Sequence, residues 1–125
     1  MQPTILIVDD EADIIELLKF RLAPLGCHFL VARDGVQALT QAREFKPDLI
    51  LLDILLPDLD GLSVCDILRR QPATKNTPII FMSALSGDVT KRSVAMNGQD
   101  FFTKPFDWNR LEKRIPELLH STIAA

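Results

Sequence analysis

Polar residues stand directly after several short apolar runs of this chain, and their types could support catalysis. These residues are Asp9, Asp10, Asp53, Ser83 and Lys104. Turns favour Asp and Ser, so any one of these positions alone is ordinary. Turn preference explains a set of three acids, one hydroxyl and one lysine less well than a shared site does. We therefore predict that the five side chains converge.

The residue types define the chemistry of such a site. Carboxylates brought close together repel one another, and the repulsion is smallest when a hard divalent cation lies among them. Mg²⁺ prefers oxygen ligands, so two or three carboxylates and a backbone carbonyl suit it. A lysine supplies positive charge for an anionic group, and a serine hydroxyl can donate a hydrogen bond to that group. With one carboxylate as nucleophile, the set would support phosphoryl transfer.

Short apolar runs, several of them rich in β-branched residues, predict five strands. The runs are Thr4–Val8, Phe29–Ala32, Leu49–Leu52, Pro78–Met82 and Asp100–Thr103. Because most of the runs lack alternation between apolar and polar residues, we expect strands that are buried on both faces.

Apolar residues at helical spacing follow each strand and predict five helices. The fourth, about Val89 to Met96, has the weakest pattern. Asp34 and Asp107 are suited to cap the second and the last helix. Pro116 lies within the last helix, so that helix either kinks or stops near Arg114.

Strands that alternate with helices form a βαβ series, which predicts an α/β fold with a parallel sheet and helices on both faces. In open sheets of this kind, sites form at the carboxyl ends of the strands, where the polar residues stand. The 125 residues suit one hydrophobic core, and no linker or repeat interrupts them. We therefore predict a single domain over residues 1–125.

Composition argues against several other classes of protein. The 14 basic and 17 acidic residues give a net charge of −3 without a Lys/Arg cluster, which argues against direct nucleic-acid binding. No apolar stretch approaches the roughly 20 residues of a membrane span, and no secretory signal is recognisable. Cys27 and Cys65 have no metal-ligand spacing and are expected to be reduced, buried or half-buried thiols. We expect a cytoplasmic protein.

Four motifs together resemble those of the receiver (CheY-like) domain of two-component response regulators. They are Val8–Glu11, Leu52–Gly61, Met82–Ala84 and Thr103–Phe106. They occur in the family's order, at predicted strand ends, and the resemblance covers Ile5 to about Leu119. It implies a doubly wound, flavodoxin-like fold whose five-stranded parallel sheet has the order 2-1-3-4-5, flanked by five helices.

The resemblance implies a phosphoacceptor and a magnesium site. Asp53 would accept the phosphoryl group. Asp9 and Asp10 would hold Mg²⁺ together with the Asp53 carboxylate, and the backbone carbonyl of Leu55 would complete the protein's ligands.

The resemblance also implies a switch. Ser83 would bind an incoming phosphoryl oxygen, Lys104 would pair with it, and the Lys104–Pro105 peptide would be cis. Phosphorylation would draw Ser83 inward and let Phe101 follow, which repacks the face of the fourth helix, fifth strand and last helix. An ordinary core position is an equal alternative for Phe101, because Phe102 is adjacent and a strand alternates its faces.

The chain departs from the family pattern in one spacing. Ser83 and Lys104 are 21 positions apart, one fewer than is usual, and we expect the missing residue between Leu85 and Val89. We expect this shorter spacing to affect the surface that contacts partners more than the chemistry of the site. Asp58 and Asp60 lie in the family's loop, but turn and helix-cap roles suit them better than metal binding.

The resemblance implies a sensor histidine kinase or a histidine phosphotransfer protein as the upstream partner. Downstream it implies an effector protein or an output domain beyond this chain, with a phosphorylation-dependent dimer also compatible with the family. The chain would be no ordinary enzyme, although it would catalyse its own phosphorylation and dephosphorylation. A stand-alone regulator, the receiver part of a longer protein and a phosphorelay intermediate all remain open.

Three other classes fit less well. A phosphatase of the haloacid-dehalogenase type, the enzyme alternative, requires Asp-x-Asp at the strand end, where this chain has Asp53-Ile54-Leu55. An EF-hand would place Leu56 at a ligand position. A flavin or nucleotide module needs a Gly- and Ser/Thr-rich cradle after the first strand, where this chain has Asp9–Glu11.

Overall fold

The computed structural model describes residues 2–84, 98 and 100–123 of the chain. The strands are β1 (Thr4–Val8), β2 (His28–Ala32), β3 (Leu49–Asp53), β4 (Ile79–Ser83) and β5 (Asp100–Thr103). The described α-helices are α1 (Ala12–Leu22), α2 (Gly35–Phe45), α3 (Gly61–Arg69) and α4 (Trp108–Ile123), and a 3₁₀ turn (Ala23–Leu25) follows α1. The predicted helix at Val89 to Met96 and the predicted deletion between Leu85 and Val89 lie outside the described residues.

The five strands form one parallel sheet in the order β2-β1-β3-β4-β5. This order and the alternation of strands with helices confirm the predicted fold class. All five predicted strands are present, with bounds that differ by at most one residue at either end. The carboxyl ends of the strands therefore meet at one edge of the sheet.

Each face of the sheet has its own core, because successive side chains of a strand point to opposite faces. One core packs the strands against α1 and α4. Its strand members are Ile5, Ile7, Leu49, Leu51, Ile80, Met82 and Phe102. The other core packs the strands against α2 and α3. Its strand members are Leu6, Val8, Ala32, Ile50, Leu52, Ile79 and Phe81.

Aspartate side chains cap three of the helices, as their positions in the sequence indicate. The Asp34 carboxylate accepts a hydrogen bond from the Gln37 amide at the start of α2, at 2.8 Å. Asp60 caps α3 in the same way, and Asp107 accepts from an amide in the first turn of α4. Each cap satisfies a backbone donor that has no partner within its helix. The predicted caps at Asp34 and Asp107 are confirmed.

Helix α4 continues through a proline. Pro116 lies inside the helix, so of the two alternatives that the sequence left open, the one in which the helix stops near Arg114 is wrong. Leu111, Ile115 and Leu118, on both sides of the proline, are buried in the core beneath α4. Most helix stability in proteins comes from such packing, which here outweighs the hydrogen bond that proline cannot donate.

Two further expectations can be compared with the structure. Cys27 and Cys65 are both buried thiols, as predicted. Over the part of the chain that the structure describes, none of the helices has the length and apolar character that crossing a bilayer requires.

Candidate functional site

The residues singled out in the sequence lie at the carboxyl edge of the sheet. Asp9 directly follows β1, and Asp53 and Ser83 are the last residues of β3 and β4. Lys104 directly follows β5, and its backbone amide donates to the Ser83 carbonyl oxygen at 2.8 Å. Asp9, Asp53 and Ser83 are buried, whereas Asp10 is exposed.

The Lys104 ammonium joins three carboxylates. Its Nζ lies 2.7 Å from Asp9 Oδ2, 3.0 Å from Asp53 Oδ2 and 3.2 Å from Glu11 Oε1. The Lys104 side chain is only 10% exposed, and that of Asp53 is 3% exposed. Ion pairs in such a water-poor setting interact more strongly than surface pairs do. The contacts bring β1, β3 and β5 together at a single charged centre.

Backbone amides hold the two buried carboxylates in place. The Glu11 amide donates to Asp9 Oδ1 at 2.9 Å, and the Leu55 amide donates to Asp53 Oδ1 at 3.0 Å. Each carboxylate therefore has one oxygen bound by an amide and the other by Lys104. Both are oriented by fixed donors before any ligand arrives, which is the preorganisation that a charge-stabilising site requires.

Four acids present oxygen atoms that could hold a cation. One carboxylate oxygen from each of Asp9, Asp10, Glu11 and Asp53 lies within 4.8 Å of the other three. One lysine offsets only part of this negative charge. Hard oxygen donors in this number are the chemistry that Mg²⁺ prefers, and two of the acids are exposed enough to admit its waters. The donor set therefore fits the predicted magnesium ion.

Burial and neighbouring groups shift the pKa values of Asp53 and Lys104. Burial raises the pKa of Asp53, and the nearby Asp9 carboxylate adds to this, although hydrogen bonds from Lys104 and the Leu55 amide oppose it. Burial disfavours the charge on Lys104, but hydrogen bonds and attraction from Asp9 and Asp53 outweigh it. The pKa of Lys104 is therefore raised well above its ordinary value. The lysine remains a cation at every physiological pH.

The two phenylalanines of β5 lie on opposite faces of the sheet. Phe102 is fully buried in the core beneath α1 and α4. Phe101 is half-buried, pairs with Phe81 of β4 and packs at the margin of the other core. The adjacent Lys104–Pro105 peptide is cis, as predicted. The partial exposure of Phe101 is compatible with a side chain that changes position, whereas Phe102 is an ordinary core residue.

The loop between β3 and α3 is folded tightly against the site. The Gly61 amide donates to the Ile54 carbonyl oxygen at 2.7 Å. A Cβ at position 61 would overlap the Asp53 carbonyl oxygen and lie 2.7 Å from the Cα of Ile54. Only a glycine permits this close approach of the two backbone segments.

Asp58 ties the same loop to another helix. Its Oδ1 accepts from the Gly35 amide at 2.7 Å, and its Oδ2 accepts from the Val36 amide at 3.0 Å. Both amides belong to the first turn of α2, where the helix dipole also favours a negative charge. The expected cap role of Asp58 is thus confirmed, and the helix that it caps is α2.

Replacing Asp58 by asparagine is expected to lower the free energy of unfolding at neutral pH and to have less effect in acid. The Gly35 amide, with those of Leu59 and Val36, holds the pKa of Asp58 below its usual range. A carboxyl with a depressed folded pKa stabilises the fold above its unfolded pKa of about 3.9. That stability is lost as the pH falls through the lower folded value. Urea unfolding from neutral to acidic pH measures both effects.

A matched control for this prediction is Asp66→Asn in α3. Asp66 is exposed and pairs with Arg70 across one helical turn, at 3.1 Å. Such surface pairs contribute about 0–1 kcal/mol. A loss of stability in Asp58→Asn that is no larger than in the control, or that does not shrink in acid, contradicts the assigned role.

Two contributions to the site were missed from the sequence. The motif Val8–Glu11 contains Glu11 but indicates no role for it, and only the structure places its carboxylate at Lys104. Its position immediately after two predicted metal ligands was a usable signal. The contact of Asp58 with α2 joins residues 22 and 23 positions apart, and no local pattern encodes it.

Comparisons with known proteins agree with this fold and identify the family. The family model described as the response regulator receiver domain matches residues 5–116. The alkaline phosphatase synthesis transcriptional regulatory protein PhoP of Bacillus subtilis is 39% identical, over 100% of this chain and 52% of that protein. The chain spans about half the length of the curated relatives it matches.

The solved structures that resemble this chain are also response regulators. The receiver domain of response regulator 1452 from Francisella is 34% identical with a TM-score of 0.88, over 97% of this chain and 99% of that one. A two-component response regulator from Clostridium difficile is 29% identical with a TM-score of 0.87, over 95% and 97% of the two chains. The chain belongs to the family of response regulator receiver domains, which are the CheY-like receivers of two-component systems.

Proposed function

We propose that this receiver domain accepts a phosphoryl group on Asp53 in a Mg²⁺-dependent reaction. The observation that carries the proposal is the position of the buried Asp53 carboxylate, which lies 3.0 Å from the Lys104 ammonium within a group of four acids. A fixed cation beside a fixed nucleophile suits phosphoryl transfer, in which proteins act mainly by positioning groups and stabilising charge.

In the proposed reaction, one carboxylate oxygen of Asp53 attacks the phosphorus of the donor. A bond forms between this oxygen and phosphorus, and the bond from phosphorus to the leaving group breaks, with its electron pair going to the leaving group. Lys104 offsets the charge of the transferred group. Ser83, buried at the end of β4, would donate its hydroxyl proton to a phosphoryl oxygen.

Mg²⁺ would be held by Asp9, Asp10, Asp53 and the backbone carbonyl of Leu55, as the family resemblance implies. When bound, the ion supplies positive charge that offsets the carboxylates and the phosphoryl oxygens. The fixed orientation of Asp9 and Asp53 by backbone amides supports this assignment.

Phosphorylation would act on the surface near β5 and α4. Phe101 is half-buried in β5, which pairs with β4, the strand that ends at Ser83, so a shift of Ser83 would act on the strand that carries Phe101. On the same surface, Asp100 pairs with Arg110 at 2.6 Å and with Arg114 at 3.1 Å. We propose that the two packings of this surface are read by a partner, a second copy or an output domain.

The proposed upstream partner is a sensor histidine kinase or a histidine phosphotransfer protein. Several relatives are named as transcriptional regulators and are about twice as long as this chain. We therefore propose that the receiver controls an output domain or an effector protein rather than contacting nucleic acid itself. The second candidate function is a phosphorelay step, in which Asp53 passes its phosphoryl group on to a histidine of a phosphotransfer protein.

Labelling with a small phosphodonor tests the proposal. Radiolabelled acetyl phosphate with Mg²⁺ is expected to label the wild-type chain, and the label should be lost in alkali because an acyl phosphate is base-labile. Asp53→Asn should reduce labelling to background, since the nucleophilic oxygen is gone. Asp66→Asn, an exposed charge change in α3, is the control and should label normally. Equal labelling of wild type and Asp53→Asn would contradict the assignment of Asp53 as the phosphoacceptor.

A further inference from the structure

Of the three carboxylates that contact Lys104, that of Glu11 differs from the other two. Asp9 and Asp53 are buried, and each has its second oxygen bound by a backbone amide. The Glu11 side chain is 59% exposed and makes the longest of the three contacts, at 3.2 Å. It makes no capping hydrogen bond to α1, although Glu11 is the residue at the N-cap position. Among the residues that the structure describes, Lys104 is the partner that holds the Glu11 side chain in place.

An ammonium group has three N–H donors, and in this structure three carboxylates share them. A phosphoryl oxygen that pairs with Lys104 must take the place of one of these partners. Asp53 is the proposed nucleophile, and Asp9 is fully buried and doubly bound. Glu11 can turn into solvent at little cost because its side chain is exposed. It is the partner that can be exchanged.

We infer that Glu11 is a positioning residue that occupies the third donor of Lys104 and yields it to the phosphoryl group. The inference rests on the proposed phosphorylation of Asp53. Glu11 keeps the lysine directed at the acids before the donor arrives, but it competes with the donor for the same ammonium. Its carboxylate also adds negative charge beside the cation site.

These two roles predict opposite effects when the charge is removed. Without the competing carboxylate, Lys104 pairs more readily with an anionic phosphodonor, so labelling should be faster. Without the fourth acid, the cluster should attract Mg²⁺ less strongly. If Glu11 had only a structural role, removing its charge would not both speed up labelling and weaken Mg²⁺ binding.

The test compares Glu11→Gln and Glu11→Asp with the wild type. Aspartate keeps the charge, but its shorter side chain moves the carboxylate away from Lys104. Rates of labelling by acetyl phosphate are measured at saturating Mg²⁺, and Mg²⁺ binding is measured by calorimetry without phosphodonor. Glu16→Gln is the matched control, because Glu16 is an exposed acid of α1 that pairs with Lys19 at 3.8 Å, outside the site.

We expect Glu11→Gln to be labelled roughly threefold faster and to bind Mg²⁺ roughly threefold more weakly, the size expected for one exposed charge pair. Glu11→Asp should also be labelled faster but bind Mg²⁺ nearly as the wild type does. Unchanged or slower labelling of Glu11→Gln contradicts the inference while leaving Asp53 as acceptor. If Glu11→Asp is labelled at the wild-type rate, general repulsion and not competition for Lys104 is responsible. A wild type that is not labelled at all contradicts the proposed function and, with it, this inference.

Discussion

Replacing Lys104 by methionine is expected to destabilise the fold by about 3 kcal/mol in Mg²⁺-free solution at neutral pH. The Lys104 side chain is 10% exposed, and its ammonium contacts the buried carboxylates of Asp9 and Asp53. Methionine fills a similar volume but leaves two negative charges close together without their cation. Removing one partner of a buried ion pair is costly because the remaining charge stays desolvated.

Urea unfolding of Lys104→Met measures this loss. Adding Asp53→Asn to the variant should restore part of the stability, because it removes one of the two unpaired charges. Saturating Mg²⁺ should also reduce the loss. Without the lysine, the acids of the variant should bind the ion more tightly than those of the wild type, and a ligand that binds only the folded chain stabilises it. The control is Lys19→Met, whose exposed pair with Glu16 should contribute at most about 1 kcal/mol. A loss in Lys104→Met as small as in the control would contradict the prediction.

Replacing Gly61 by alanine is expected to cost about 3 kcal/mol or more and to impair the site. The new methyl group would overlap the Asp53 carbonyl oxygen and lie 2.7 Å from the Cα of Ile54. Both neighbours are backbone atoms, so no side chain can turn away to make room. The loop must then move away from β3, and the hydrogen bond from the Gly61 amide to the Ile54 carbonyl is lost.

Thermal unfolding with and without Mg²⁺ checks this prediction. Gly26→Ala is the control, because a Cβ there meets no atom within 4 Å and only the positive φ of 72° opposes it. That conformational strain costs about 1 kcal/mol. If Gly61→Ala is no less stable than Gly26→Ala, the close approach of the two backbone segments does not limit the loop.

The sheet and the edge that carries the site could be predicted because each rests on short-range patterns. The run Thr4–Val8 followed by two acids identifies a buried strand and its polar end without reference to the rest of the chain. The same is true of Leu49–Leu52 followed by Asp53. Once the strands are parallel, their ends must share an edge, so the meeting of the acids with Lys104 follows from topology.

Other features depend on contacts between distant residues, which single-sequence patterns do not encode. The cap of α2 by Asp58 requires the loop after β3 to lie against the start of α2. The pairing of Glu11 with Lys104 requires a side-chain direction, not only a position. Helix α4 continues through Pro116 because tertiary packing outweighs local propensity, and the strength of that packing cannot be read from the sequence.

The contacts of Lys104 also bear on the order in which the chain can become competent. The ammonium pairs with Asp9, which is 95 positions away, and with Asp53, which is 51 positions away. Contacts between residues so far apart in sequence require loop-closure entropy to be lost before they stabilise the fold. A nascent chain that has completed β1 and β3 but not β5 carries the two carboxylates without their cation. If Asp53 accepts phosphoryl groups as proposed, we expect a chain in which β5 has not docked to be labelled poorly, because Lys104 is then missing from the site.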